Sequence, residues 1–176
     1  MHDIHISYGS HVDRVRGAQA YIAERSYSVC LGRGGVVSPH AKREGDGCTP
    51  SGRYPLRGIF YNPERVALPS SLKLPVQAVS PHQGWSDDPA DPCYNTLVPL
   101  PHAYGHEVLW REDVLYDVVI VVGYNDAPPV PGMGSAIFIH VRKSKDSSTE
   151  GCVAFFLCDL LSILPHLSDT SHIFIQ

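Results

Sequence analysis

The chain has 176 residues, 43% of them hydrophobic and 18% charged, which suits one domain with a sizeable core and argues against disorder. Its formal net charge is −4 and its sequence pI is about 6.2; no basic block occurs, so the electrostatic footprint of a nucleic-acid binder is missing. The longest apolar run, VVIVVGY, is strand-sized and too short to span a bilayer. Five cysteines, at positions 30, 48, 93, 152 and 158, are odd in number and lack C-x-x-C spacing, which speaks against a disulfide framework or a zinc knuckle.

In chain order, β-branched and aromatic runs between turn signals predict strands. The first is IHISY (4–8), within an N-terminal stretch, MHDIHISYGSHVDRVRG, that has no apolar signal core or cleavage site. HVDRVRGAQAYIAER (11–25) has a weak helical period. Strands follow at YSVCLG (27–32) and RGIFYN (57–62). From 63 to 111 the pattern changes: prolines recur at short intervals with no sustained period, as in a binding loop or lid. Strands resume at YDVVIVVGYN (116–125) and SAIFIHV (135–141), both apolar enough for the middle of a sheet. LCDLLSILPHL (157–167) is the clearest helix, with Leu157, Leu160, Leu161 and Leu164 on one face and Pro165 at its end. HIFIQ (172–176) closes the chain. Fifteen Gly and fifteen Pro fit such a loop-rich β domain, because each punctuates turns through a special φ. The expectation is one domain over 1–176, mainly β, with one or two short helices and a long Pro-rich insertion.

The chemistry centres on SSTEGCVAF (147–155). A cysteine nucleophile needs a thiolate, a base and donors for the oxyanion. Gly151 lets the backbone turn sharply before Cys152, and a helix just beyond adds a favourable dipole if its N-terminus faces the thiol. The base candidate is His140, which ends the strand GSAIFIH and in period 2 points opposite to Ile139. Eleven residues separate it from Cys152, enough for a loop that returns beside the strand. The plainer reading stands next to this one: a lone Cys is more often a small core residue, and a His at a strand end a polar edge.

GSAIFIHVRKSKDSSTEGCVAF resembles the catalytic signature of the L,D-transpeptidase (YkuD-type) family: a His, a spacer, then Ser/Thr-x-Gly-Cys and an apolar residue. Upstream, DGCTPSGRYPL (46–56) resembles the family's Thr-Pro-x-Gly-x-Phe/Tyr segment, and CLGRGG (30–35) the turn before it. The resemblance covers roughly 27–167, and GWSDDPADPCYN, LYDVVIVVGYNDAP and GCVAFFLCDLLSIL look like those of a compact subgroup. The sequence departs from the commonest pattern at Glu150, where many members have His, in a shorter spacer, and at Val153-Ala154-Phe155, where many have Arg or Asn.

The resemblance implies an L,D-transpeptidase-type β-sandwich and a reaction on peptidoglycan stem peptides, with no cofactor and no metal. Cys152 would attack the third residue of a tetrapeptide donor, expel D-alanine and pass the acyl group to an amine acceptor. His140 would be the base, the Val141 carbonyl would orient it, and Gly151 with Cys152 would supply the oxyanion hole. Substrate contacts are expected from Arg142, Tyr124, Asn125, Glu150 and Thr149; for Arg142, with Lys143, a solvated loop charge is the competing view. Trp85, Tyr94 and Trp110 either cap the site or anchor the insertion. Asp87, Asp88 and Asp91 match no calcium cage and read as turn formers.

Three functions stay open at this point: a transpeptidase forming 3-3 or 1-3 cross-links, a carboxypeptidase or other peptidoglycan amide hydrolase on the same fold, and a non-catalytic wall-binding module. A zinc site from His102, His106, His140 and Cys152 is the remaining alternative, though its spacing is no recognised ligand set. The protein is expected to act as a monomer, without nucleic acid or a membrane span. The substrate would put it in the periplasm or envelope.

Overall fold

The computed structural model describes residues 2–8 and 17–176. Its strands are β1 (Ile4–Ser7), β2 (Ala18–Ile22), β3 (Arg25–Val29), β4 (Val36–Val37), β5 (Thr49–Pro50), β6 (Gly52–Tyr61), β7 (Val76–Ala78), β8 (Gln83–Ser86), β9 (Leu97–Pro99), β10 (His106–Val108), β11 (Val118–Val122), β12 (Phe138–Val141), β13 (Val153–Phe155) and β14 (His172–Ile175). One α-helix, α1 (Leu157–Ile163), continues into a 3₁₀ turn at Leu164–His166. No helix among the described residues is long and apolar enough to cross a membrane.

Eight strands run side by side in the order β13-β12-β11-β6-β14-β1-β2-β3, with β7 added alongside β6. The ten residues of β6 serve two neighbours: Gly52–Pro55 pair with β14 and Leu56–Tyr61 with β11. The two ends of the row meet. Just past β3, Cys30 N–H donates to Ala154 O at 3.0 Å and Ala154 N–H donates to Cys30 O at 2.9 Å, so the sheet curls back on itself and neither end remains a free edge there.

Alternation then sorts side chains into two cores. On the inner side, Ile4, Ile59, Ile120, Ile139, Val153 and Phe155 pack together with Leu160, Ile163 and Leu164 of the helical segment. On the other side of β11 and β12, Val119, Val121 and Phe138 pack with Leu109, Tyr116 and Cys152. This is the mainly β, sandwich-type architecture expected from the sequence.

Two readings change. The helical period at 11–25 falls partly on residues outside those described, and the rest is a hairpin. Ala18, Ala20 and Ile22 are buried at every second position, and Ala23 and Glu24 turn the chain with φ of 50° and 66°. Period two wins because the apolar face must meet a sheet. Inside 63–111, a three-stranded antiparallel sheet, β10-β8-β9, forms where no period is visible. Strands of three or four residues are too short to display alternation.

Core truncation should be costly at the inner face and cheap at β7. Ile120→Ala, fully buried, should lose about 3 kcal/mol in urea unfolding, whereas Val76→Ala, 44% exposed, should change stability by less than about 0.5 kcal/mol. Equal effects would mean that β11 does not form the centre of the sheet.

Candidate active site

Strands β12 and β13 run parallel, with Ile139 opposite Val153 and His140 opposite Ala154. The connection between them, residues 142–152, is a loop, short for a parallel crossover. The register has a direct consequence. Cys152, one residue before β13, lies beside Phe138 and shares a sheet face with His140, while Ile139 and Val153 point into the inner core. Both Cys152 and His140 line a cleft of about 370 Å³.

The thiol is held by backbone on both sides. Phe138 N–H donates to Cys152 Sγ at 3.4 Å, and Sγ–H donates to Ala136 O at 3.3 Å. Ala136 presents that carbonyl from a left-handed conformation, φ 50°, which a residue with a side chain adopts at a cost. Asn95 secures it: its Oδ1 accepts from Ala136 N–H at 3.0 Å and from Trp85 Nε1 at 2.9 Å, while Nδ2 donates to the carbonyls of Tyr124 and Asn125. Burial pushes the Cys152 thiol up to about 12; the Phe138 N–H opposes this and the Glu107 charge adds to it. The thiol is therefore neutral at neutral pH.

The turn carrying Cys152 is clamped from outside the sheet. Thr149 N–H donates to Leu31 O at 3.0 Å, and Arg33 N–H donates to Thr149 O at 2.8 Å. The segment around Gly32 presses so closely on 47–49 that a Cβ at Gly32 would stand 2.3 Å from Gly47 O. Gly151, φ 133°, has no room either, since its Cβ would meet Cys48 O at 2.7 Å. Thr149 Oγ1–H donates to Cys152 O at 2.7 Å and Oγ1 accepts from Gly151 N–H at 3.2 Å. The Gly151 N–H expected in the oxyanion hole thus already has a partner. The Cys152 N–H has none among the described residues.

His140 Nδ1 lies 2.8 Å from Val141 O. With the carbonyl as acceptor, Nδ1 carries the proton and Nε2 is left with its lone pair. The Tyr116 ring meets the imidazole edge-on at 5.4 Å. Burial holds the imidazole down at about 4, against the pull of the Val141 carbonyl and with a small push from the Arg111 charge. His140 is neutral too.

Other expected residues divide sharply. Thr149, Glu150 and Arg142 line the cleft. Glu150 also pairs with Arg33 at 2.7 Å on the surface. Arg142 is buried, not a solvated loop charge: its guanidinium stacks 4.0 Å over Phe156. Lys143 is the exposed one, paired with Asp113 at 2.9 Å. Tyr124 and Asn125 do not line the cleft. Tyr124 Oη–H donates to Met133 O at 2.6 Å, and Asn125 bonds Val130 and Gly134 to shape the loop before β12. A strand-end Tyr-Asn pair signals a turn as readily as a site, and here the turn is what it makes. Nor does α1 aim its N-terminus at the thiol, since β13 intervenes and α1 packs in the opposite core.

Trp85 anchors the insertion, edge-on to Phe138 at 5.2 Å, and Trp110 packs in the same core. Tyr94 hydrogen-bonds Glu44 and accepts from Gly134 N–H. Asp91 binds Ser86 and His102, and Asp88 caps Ala90 N–H. Among the described residues no group of three His, Cys, Asp or Glu is arranged to hold a metal ion. Asp87 does line the cleft, as do Glu44, Glu107, Arg111 and Tyr116. Sequence inspection did not single out the last four. Glu44 lies far from the other three in sequence, and Glu107, Arg111 and Tyr116, though within ten residues, form no recognisable motif.

The fold and cleft define a mainly β domain that carries a thiol and an imidazole on one wall of an open groove. A sequence model of the L,D-transpeptidase catalytic domain, YkuD, matches residues 4–175. No curated protein and no solved structure matches the chain. The chain belongs to the L,D-transpeptidase (YkuD) catalytic domain family, which acts on peptidoglycan.

Two predictions test the site's electrostatics. Iodoacetamide at neutral pH should alkylate the exposed Cys93 and Cys158 well before Cys152, because only thiolate reacts; peptide mapping that finds Cys152 modified first would contradict a raised thiol. Between pH 6.5 and about 4 the unfolded chain protonates His140 and the folded chain does not, so stability falls as pH drops through that window. From pH 8 to pH 5 the loss is about 2 kcal/mol. His140→Gln should lack this component in urea unfolding; equal losses in both proteins would show that His140 titrates freely.

Proposed function

We propose that the protein is a cysteine-dependent L,D-transpeptidase that cross-links peptidoglycan stem peptides through an acyl-enzyme on Cys152. The observation that carries this reading is the parallel β12–β13 register, which puts a turn-borne thiol and a strand-borne imidazole on the same cleft face.

The donor is a tetrapeptide stem. As its third-residue carbonyl enters the cleft, the Cys152 S–H gives up its bond to the Ala136 carbonyl, its proton passes from sulfur to His140 Nε2, and sulfur attacks carbon. The Val141 carbonyl stabilises the imidazolium at Nδ1–H, the part an Asp takes in a serine triad. The free Cys152 N–H meets the oxyanion, and Gly151 N–H joins it if the Thr149 bond yields; each such donor is worth about 3 kcal/mol. D-Alanine departs with the His140 proton. The thioester then passes to an amine of a second stem, forming a 3-3 or 1-3 link, or to water.

Because both groups start neutral, sulfur ionises only as the proton moves to His140, so the two residues act as a unit. The substrate locates the protein at the cell envelope. Water as acceptor would make it a carboxypeptidase on the same machinery, whereas a wall-binding module would not need the pair.

Incubation with a disaccharide-tetrapeptide, read by mass spectrometry, should give a Cys152-linked acyl-enzyme and a dimer lighter than two substrates by one D-alanine. Cys152→Ala should give neither. His140→Gln should slow acylation at least about 100-fold. Tripeptide alone would make the protein a carboxypeptidase, and folded protein without acyl-enzyme or product would overturn the reading.

A further inference from the structure

The strand that carries His140 is entered through residues 134–136, which lie outside β12 and, among the described residues, bond to no other main chain. Backbone without a ladder must find its partners elsewhere. Here side chains supply them. Gly134 N–H donates to Tyr94 Oη at 3.1 Å, and Gly134 O accepts from Asn125 Nδ2 at 2.8 Å. Ser135 Oγ–H donates to Glu44 Oε2 at 2.7 Å, and Ala136 N–H donates to Asn95 Oδ1 at 3.0 Å. Tyr94 and Asn95 are consecutive residues of the insertion, and they grip alternate residues of the segment. The left-handed φ of 50° at Ala136 persists only because its surroundings impose it.

Asn95 is 5% exposed, and its amide is used to capacity. The oxygen accepts from Ala136 N–H and Trp85 Nε1, and the nitrogen donates to the carbonyls of Tyr124 and Asn125. No donor or acceptor is left over for a substrate. Its own φ of 58° is a conformation that asparagine tolerates better than most residues. The place therefore suits this side chain for holding backbone, and for nothing else.

What the held segment presents is the Ala136 carbonyl, which accepts from the Cys152 S–H, while Phe138 N–H reaches the same sulfur two residues on. Moving Ala136 re-aims the thiol. We propose that Asn95, with Tyr94 beside it, is a positioning residue for the nucleophile: through residues 134–136 the insertion sets the direction of the Cys152 S–H, and with it the rate of acylation. Asn95 acts only through Ala136. The effect on rate rests on the acyl-transfer reading; the direction of the S–H does not.

The test compares Asn95→Ala and Tyr94→Phe with Val98→Ala, a buried β9 residue paired with Gly84, whose truncation weakens the insertion away from Ala136. Each variant is read by urea unfolding, by the saturating rate and half-saturating concentration of acylation by the tetrapeptide, and by the infrared S–H stretch of Cys152, isolated by difference from Cys152→Ala. An S–H that loses its acceptor absorbs at higher frequency. Asn95→Ala should raise that frequency and lower the saturating rate at least about tenfold, as a small misplacement of a reacting atom does. The half-saturating concentration should stay within about twofold. Tyr94→Phe should move both readouts the same way by a smaller step, and it carries the test if Asn95→Ala does not fold. Val98→Ala should lower the urea midpoint and move neither. An unmoved S–H band in the variant that carries the test, or the same loss of rate in Val98→Ala at equal stability, overturns the proposal. If the wild-type protein forms no acyl-enzyme, the acyl-transfer reading falls, and the S–H band alone decides the positioning.

Discussion

The two-way backbone bond between Cys30 and Ala154 is the constraint on which the site depends. It joins the two ends of an eight-strand row and fixes β13 against both β12 and the segment after β3. One and three residues further on, Leu31 and Arg33 grip Thr149. The turn bearing Cys152 is thereby held at three points by main chain, which is stiffer than any side-chain contact. A loop this tight must be glycine at Gly151, where both φ and the approach to Cys48 O exclude a side chain.

The electrostatics follow from that tightness. Closing the turn against the sheet buries thiol and imidazole together, and burial disfavours the charged form of each. The resting pair is neutral, the Cys152 S–H donating to the Ala136 carbonyl. In the proposed reaction the substrate completes the arrangement: the carbonyl to be attacked gives the free Cys152 N–H its partner, and the charges on sulfur and imidazole develop where both groups are buried. The insertion supplies part of the cleft wall. Its small sheet sets Asp87 and Glu107 along the cleft that Cys152 lines, and its Asn95 holds Ala136 in place. A stretch without sequence period thus contributes a wall, a staple and charge.

Much of the site could be read in advance where the information was local. Gly151-Cys152 on a turn, His140 at a strand end and the Val141 carbonyl beside it occupy neighbouring positions in a recognisable pattern, and the structure brings Cys152 and His140 to one cleft. Tyr124 and Asn125 misled because a strand-end polar pair looks the same whether it lines a groove or builds a loop. The helical reading near residues 18–25 failed for a similar reason: Ala, Tyr and Ile suit either period, and the sheet waiting to receive β2 decided between them. Glu44, Asn95 and the stretch carrying Glu107, Arg111 and Tyr116 escaped because they meet only in space, and within 107–116 no motif marks the three.

The sequence by itself determined the fold class and the order of the long apolar strands, because alternation and turn residues act within a few residues of one another. It also singled out the candidate nucleophile and base. Only the tertiary structure decided that both are neutral at rest, that the Gly151 N–H is already engaged, and that Arg142 is buried without a counter-charge among the described residues. Those properties depend on exclusion of water and on through-space partners, and neither is a property of any local stretch of chain.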